Sequence, residues 1–127
     1  MKIADTSALY ALWVENDAHH EQAKRDAQVM HRLLVPAEVF SEFLTILRMR
    51  IGPANALRAA TELRTQPGIE IQPSWDNPWD DVLGAAWKEF SAGDNPSYVD
   101  AIVIAWCKKR KLQPWTYDAQ IAKACST

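Results

Sequence analysis

Short apolar runs alternate with longer amphipathic segments along the whole chain. The short runs end close to Asp or Pro, which is typical of buried strands bounded by turns. In the longer segments apolar residues recur at spacings of three and four, which is typical of helices. The predicted strands cover residues 2–4, 33–35, 69–71 and 113–117. The predicted helices cover residues 6–14, 19–32, 36–50, 53–65, 79–90, 97–111 and 119–124.

This alternation predicts an α/β fold around a mainly parallel sheet of four to five strands. Ligands of such sheets bind beyond the carboxyl ends of the strands. Helices return antiparallel to the strands, so their first turns lie at the same edge. Residues that follow a strand, or that begin a helix, are therefore the candidates for a functional site.

The amino-acid composition indicates the class of protein. The chain has 127 residues, of which 48% are hydrophobic and 24% charged, as in an ordinary globular domain. We expect one domain over residues 1–127. No apolar run reaches membrane-spanning length, and no secretory signal is visible, so a cytoplasmic location is expected. Cys107 and Cys125 are expected to be reduced thiols.

The net charge of −2 and the pI of about 5.9 argue against broad electrostatic binding of nucleic acid. They do not exclude a nucleic-acid enzyme, because bound metal would offset clustered carboxylates. Two basic stretches exist, at residues 48–50 and 108–111. The second fits the solvated end of a helix, where cations complement the helix dipole.

Two aspartates follow predicted strands directly. Asp5 follows residues 2–4, and Asp118 follows residues 113–117. Either could serve only as the N-cap of the next helix.

Asp100 is the only charged residue in YVDAIVIAWC, a helical segment that is apolar nearly all round. An ionised carboxylate in such surroundings requires a partner. A capping box with Ser97 is the structural alternative. Asp94 lies in the preceding loop and is either a further acid of the site or a solvated loop residue.

Glu38 and Glu42 lie four residues apart on one predicted helix. Helical periodicity places Glu42 beside Ile46, at the margin of the buried stripe, and Glu38 further toward solvent. Glu38 also has a sufficient structural role in the first turn, where a carboxylate complements the helix dipole. We therefore favour Glu42 as the functional acid.

Four acids from separate segments thus project to one edge of the sheet. A hard divalent cation would relieve their mutual repulsion, and Mg²⁺ or Mn²⁺ suits a site made only of carboxylates. His and Cys are poorly placed, which argues against zinc. The acids are Asp5, Glu42, Asp100 and Asp118.

The chain resembles PIN-domain ribonucleases, in particular the toxins of VapBC toxin–antitoxin pairs. The resemblance rests on four segments in order, IADTSALYAL, VPAEVFSEFLTILR, SYVDAIVIAW and PWTYDAQIA. It implies a three-layer α/β/α PIN-like fold and hydrolysis of RNA phosphodiester bonds that depends on Mg²⁺ or Mn²⁺. The expected direct metal ligands are Asp5 and Asp100; the expected ligands through water, or orienting groups, are Glu42 and Asp118. The hydroxyl residues expected to support them are Thr6, Ser7 and Thr116.

The resemblance also implies a cognate antitoxin, and we expect a short basic segment of it to block the acidic site. A homodimer is expected, because basic stretches from two chains could line one groove where a single acidic subunit offers little basic surface.

Two other interpretations account for part of the sequence. A haloacid-dehalogenase-like phosphatase needs a second Asp two residues after the first, and Ser7 stands there. A non-catalytic PIN-like interaction or RNA-binding module would use the acids only as caps. Its six Trp residues could then form partner surfaces or stack on bases. Trp106 is better explained as core, whereas Trp75 and Trp79 could be exposed.

Overall fold

The computed structural model describes residues 1–74, 79–92 and 94–126. The strands in this part of the chain are β1 (Lys2–Ala4), β2 (Leu33–Pro36), β3 (Ile69–Gln72) and β4 (Gln113–Trp115). The helices are α1 (Thr6–Trp13), α2 (His20–Val29), α3 (Ala37–Ile51), α4 (Pro53–Thr65), α5 (Trp79–Ala92), α6 (Tyr98–Arg110) and α7 (Ala119–Cys125). The strands form one parallel sheet in the order β3-β2-β1-β4. This confirms the predicted three-layer α/β/α fold.

The register of the sheet determines where the candidate site lies. Ile3 of β1 is opposite Leu34 of β2 and Pro114 of β4, and Ala4 is opposite Trp115. β1 is therefore an inner strand. Because all four strands run in the same direction, the residue after β1 emerges at the middle of the carboxyl edge. That residue is Asp5.

Helix α6 forms much of the core on one side of the sheet. Every residue from position 101 to position 107 is buried, including Trp106. Uniform burial explains why the segment is apolar all round. The prediction that Trp106 belongs to the core is confirmed.

The predicted start of α3 was wrong by one residue. Pro36 is not its first helical residue, because Pro36 has ψ of 141° and is paired with Gln72 in the sheet. The φ of proline, here −57°, is compatible with both a strand and a helix. Sequence pattern alone could not distinguish the two.

Other ends of helices and strands also differ from the predicted ones. α2 ends at Val29 rather than residue 32, and the carbonyl of Arg32 instead accepts a hydrogen bond from the Lys2 N–H, at 3.4 Å. β4 ends at Trp115, before Thr116 and Tyr117. Residues 97 and 111 cap α6 rather than belong to it. The expectation for Trp75, and for the side chain of Trp79, lies outside the described residues. None of the described helices is both long and apolar enough to cross a bilayer.

Gly68 occupies a turn that only glycine fits without strain. Its φ is +87°, and an added Cβ would lie 2.4 Å from the carbonyl oxygen of His31. Gly52 provides a matched control, because its φ is similar, +91°, but no atom lies within 4 Å of the added Cβ. We expect Gly68→Ala to lower the free energy of unfolding by about 3 kcal/mol and Gly52→Ala by about 1 kcal/mol. Denaturant unfolding of both variants measures the difference; equal losses would contradict the contact with His31.

Candidate active site

Asp5 is a buried carboxylate at the carboxyl end of β1, with only 2% of its surface exposed. One of its oxygens, Oδ1, accepts hydrogen bonds from the Ser7 hydroxyl at 2.8 Å and from the Ala8 backbone N–H at 3.0 Å. The other, Oδ2, accepts one from the Thr116 hydroxyl at 2.6 Å. Asp5 is thus the N-cap of α1 and is also tied to the loop after β4.

The two hydroxyls that bind Asp5 are themselves fixed by the loop between β4 and α7. The Ser7 hydroxyl accepts from the Tyr117 backbone N–H at 3.0 Å, and the Thr116 hydroxyl accepts from the Asp118 N–H at 2.9 Å. Each hydroxyl donates its own hydrogen to Asp5. The Asp5 carboxylate is thus held in one orientation by two neighbouring segments.

Asp118 lies close enough to Asp5 for its charge to matter. Burial raises the pKa of Asp5, hydrogen bonds from Thr116, Ser7 and Ala8 lower it, and the charge of Asp118 raises it further. Asp118 also caps α7, since its Oδ1 accepts from the backbone N–H groups of residues 120 and 121.

Asp100 and Ser97 form a capping box at the start of α6, which is the structural alternative that the sequence left open. The backbone N–H of Asp100 donates to the Ser97 hydroxyl at 3.0 Å, and the Asp100 Oδ2 accepts from the Ser97 N–H at 3.3 Å. The half-buried Asp100 side chain lines a cleft of about 350 Å³ between α6 and α7. Asp94 lines the same cleft, as do Gln120 and Ile121 in the first turn of α7.

The two glutamates of α3 differ in their contacts. Glu38 accepts a hydrogen bond from the Ser74 hydroxyl at 2.7 Å, and that hydroxyl in turn accepts from the Trp106 indole N–H at 2.7 Å. The prediction that Glu38 lies toward solvent was therefore wrong, since it is half-buried in a polar chain. Glu42 is also half-buried and lies one turn before Ile46, which shares a groove with Thr6 and Ser7.

The side chains at this edge offer oxygen ligands, which favour a hard cation, although the carboxylates do not all converge on one point. Within residues 1–74, 79–92 and 94–126, no three His, Cys, Asp or Glu side chains are grouped as a metal site. Mg²⁺, however, commonly uses only one or two carboxylates and completes its shell with water and substrate phosphate. Asp5 is one such carboxylate, and Asp118 lies close enough for its charge to act on Asp5. The Thr6 hydroxyl, buried and without a hydrogen-bond partner among the described residues, also lies at this edge.

A family model, the PIN domain, matches residues 2–126. The chain belongs to the PIN-domain family. Its structure is similar to the crystal structure of Mycobacterium tuberculosis VapC20, a sarcin–ricin loop cleaving toxin. The two chains are 26% identical, the match covers 98% of this chain and 95% of VapC20, and the TM-score is 0.84. The resemblance to a VapC-type toxin is thus confirmed. No curated protein matches the chain.

Two groups of this PIN domain were missed by sequence reasoning. Ser74, 3% exposed, joins α3 to α6, and its position just after β3 was the available signal. Tyr117 donates a hydrogen bond to Asp26 and stacks on His19. Burial and the bond to Asp26 raise the pKa of Tyr117 to about 12, so that its phenol stays protonated at neutral pH.

The raised pKa of Asp5 makes the stability of the metal-free PIN domain depend on pH. Its folded-state pKa lies above the ordinary value of 3.8, so the ionised form opposes folding. This penalty is absent below pH 3.8 and is complete once the pH has risen past the folded-state pKa. In EDTA we expect Asp5→Asn to be more stable than wild type at neutral pH, with the advantage shrinking as the pH falls toward about 4.

Urea unfolding of both proteins across this range measures the effect. The matched control is Asp94→Asn, which removes an exposed carboxylate. An advantage of Asp5→Asn that did not change with pH would show that the folded protein accommodates the ionised carboxylate without cost.

Proposed function

We propose that this chain is an endoribonuclease that requires Mg²⁺ or Mn²⁺ and acts as the toxin of a type II toxin–antitoxin pair. The observation that carries the proposal is the fixed, buried Asp5 next to Asp118 at the carboxyl edge of a PIN-domain sheet. Similarity to VapC20, described as a toxin that cleaves the sarcin–ricin loop, supports RNA as the substrate.

In this proposal Asp5 and Asp100 bind the metal directly, and Glu42 and Asp118 act through water or orient it. When bound, the cation polarises the phosphodiester and lowers the pKa of an attacking water. The side chains of the protein position these groups. Ser7 and Thr116 keep the Asp5 carboxylate from rotating, because each donates to a different oxygen. Tyr117 acts as a hydrogen-bond donor and not as a base, given its raised pKa.

The proposed partners follow from the charge of the site. Asp5, Asp100 and Asp118 form no ion pair within the described residues. A basic antitoxin segment that placed Arg or Lys among them would compensate their charge and block RNA. We further propose a cytoplasmic location, and a homodimer in which basic stretches from two chains line one groove.

Cleavage assays test the enzyme proposal. The purified chain is incubated with an RNA hairpin that contains the sarcin–ricin loop, and with total RNA, in Mg²⁺, Mn²⁺ or EDTA. Endonucleolytic products are expected with either metal and not with EDTA. Production of the chain in its host without the antitoxin should arrest growth, and co-production of the neighbouring antitoxin should restore it. A harmless wild-type chain under these conditions would refute the toxin role.

One observation favours a non-catalytic interaction or RNA-binding module instead. Asp5, Asp100 and Asp118 each stabilise the start of a helix, and such caps need no metal. Calorimetric titration with Mg²⁺ and Mn²⁺ separates the two functions. Binding that is weakened by both Asp5→Asn and Asp100→Asn supports the nuclease, whereas the absence of binding, together with the absence of cleavage, supports the module.

A further inference from the structure

A second groove, of about 310 Å³, adjoins the candidate site. Its size is at the lower end of the range of about 300–1,000 Å³ that is usual for ligand sites. Thr6 and Ser7, the two residues after Asp5, form one end of it. The remaining walls come from α1, α3 and the segments that precede α2 and α7, and consist of Tyr10, Asp17, His19, Ile46, Arg50 and Tyr117.

Helix α3 connects this groove to the candidate site. Glu42, Ile46 and Arg50 are spaced by four residues and therefore share one side of the helix. Ile46 and Arg50 line the groove, so Glu42 lies one turn nearer to the start of α3 on the same side. An RNA strand that passed over the carboxylates could continue along this side of α3. It would then reach the guanidinium of Arg50, two turns beyond Glu42.

The polar groups of the groove suit a nucleotide. Arg50 supplies an exposed guanidinium, whose planar fork matches the oxygens of a phosphate. The Thr6 hydroxyl is buried and has no hydrogen-bond partner within the described structure. The carboxylate of Asp17 accepts the backbone N–H of His19 at 2.8 Å, which fixes the loop that carries the histidine.

An aromatic pair forms another wall. The rings of His19 and Tyr117 are parallel within 7°, with centroids 4.9 Å apart. Tyr117 is anchored through its phenol to Asp26 and through its backbone N–H to Ser7. His19 lies on the exposed side of the pair. Such a preformed stack offers a platform for a base at little cost in conformational entropy.

We infer that this groove binds the nucleotide next to the scissile phosphodiester of the RNA, with its phosphate on Arg50 and its base against the His19–Tyr117 pair. The inference rests on the proposed function, because it places the substrate strand across the candidate active site. The carboxylates repel phosphate, so an adjacent cation is needed to hold the strand there. A phosphate contact of this kind contributes affinity without sequence preference.

Binding assays with matched variants test the Arg50 contact. The probe is a fluorescein-labelled single-stranded RNA oligonucleotide in EDTA, with fluorescence anisotropy recorded over a series of KCl concentrations. Arg50→Gln is expected to weaken binding about tenfold and to reduce the slope of log Kd against log salt by about 0.7, the value for one phosphate contact with a single strand.

The control is Arg48→Gln, which removes the same charge from the last turn of the same helix but lies outside the groove. It should change the slope much less. His19→Ala is expected to weaken binding at least about fivefold with no change in slope, because a stacked base carries no charge. His31→Ala, at an exposed histidine outside the groove, is its control.

The outcomes separate this inference from the proposed function. If wild type binds and cleaves RNA but Arg50→Gln behaves like Arg48→Gln, the groove is not the phosphate site and the inference is wrong. If wild type neither binds nor cleaves RNA, the proposed function fails and the inference fails with it. If Arg50→Gln retains RNA binding but loses the antitoxin, the groove binds a protein and the RNA assignment is overturned.

Discussion

Asp100→Asn is expected to lower the rate of RNA cleavage by about 10³-fold, corresponding to about 4 kcal/mol of lost transition-state stabilisation. The expectation follows from the proposed role of Asp100 as a direct ligand, because an amide oxygen carries no charge to hold a divalent cation. The fold should survive. Asn retains an acceptor oxygen for the Ser97 N–H, and the Asp100 N–H still donates to Ser97.

Single-turnover cleavage of a labelled RNA measures the loss, and thermal unfolding confirms that α6 is intact. Asp94→Asn is the matched control, since Asp94 lines the same cleft as Asp100 but belongs to the loop and caps no helix. It should keep most of the activity. Equal losses in the two variants would show that the general negative charge of the cleft matters and that Asp100 has no special role. In the host, Asp100→Asn should also abolish growth arrest without any antitoxin.

Glu42→Gln is expected to reduce cleavage by about 100-fold or more, and Glu38→Gln to leave most of it. Both variants remove one charge from the same helix and change no volume. Glu42 lies on the same side of α3 as Ile46, which lines the groove beside Thr6. Glu38 is already engaged by Ser74, and glutamine still offers an oxygen to that hydroxyl.

Cleavage rates of the two variants, together with metal affinities from calorimetry, show which glutamate contributes to the active site. If Glu38→Gln were the inactive variant, the chain of hydrogen bonds from Trp106 through Ser74 to Glu38 would be part of the active site. The predicted phase of α3 would then have led to the wrong glutamate.

The order and type of the elements could be predicted because the apolar periodicity changes clearly between strands and helices. Their ends could not always be predicted. Pro36 satisfies the φ of a strand and of a helix equally well, and its pairing with Gln72 depends on residues far along the chain. Likewise, residues 30–32 continue a helical pattern but connect α2 to β2, where the Arg32 carbonyl bonds to Lys2.

The pattern of elements could predict that Asp5, Asp100 and Asp118 lie at the starts of helices. Their detailed contacts could not be predicted. The link from Thr116 to Asp5 joins residues 111 positions apart, and the role of Ser74 depends on where Trp106 points. Side-chain directions of this kind depend on packing, which a single sequence does not display.

The three aspartates at the edge stabilise the starts of α1, α6 and α7 whether or not any metal is bound. Loss of such a cap costs about 0.5–2 kcal/mol, a substantial part of the roughly 5–15 kcal/mol that keeps a domain folded. A descendant of this protein that had lost its chemistry would thus still gain stability from capping residues at positions 5, 100 and 118. Glu42 lies inside α3 and caps nothing. Among related sequences, a change at position 42 would therefore be good evidence that a protein is inactive. Retention of the three aspartates would be weaker evidence that a protein is active.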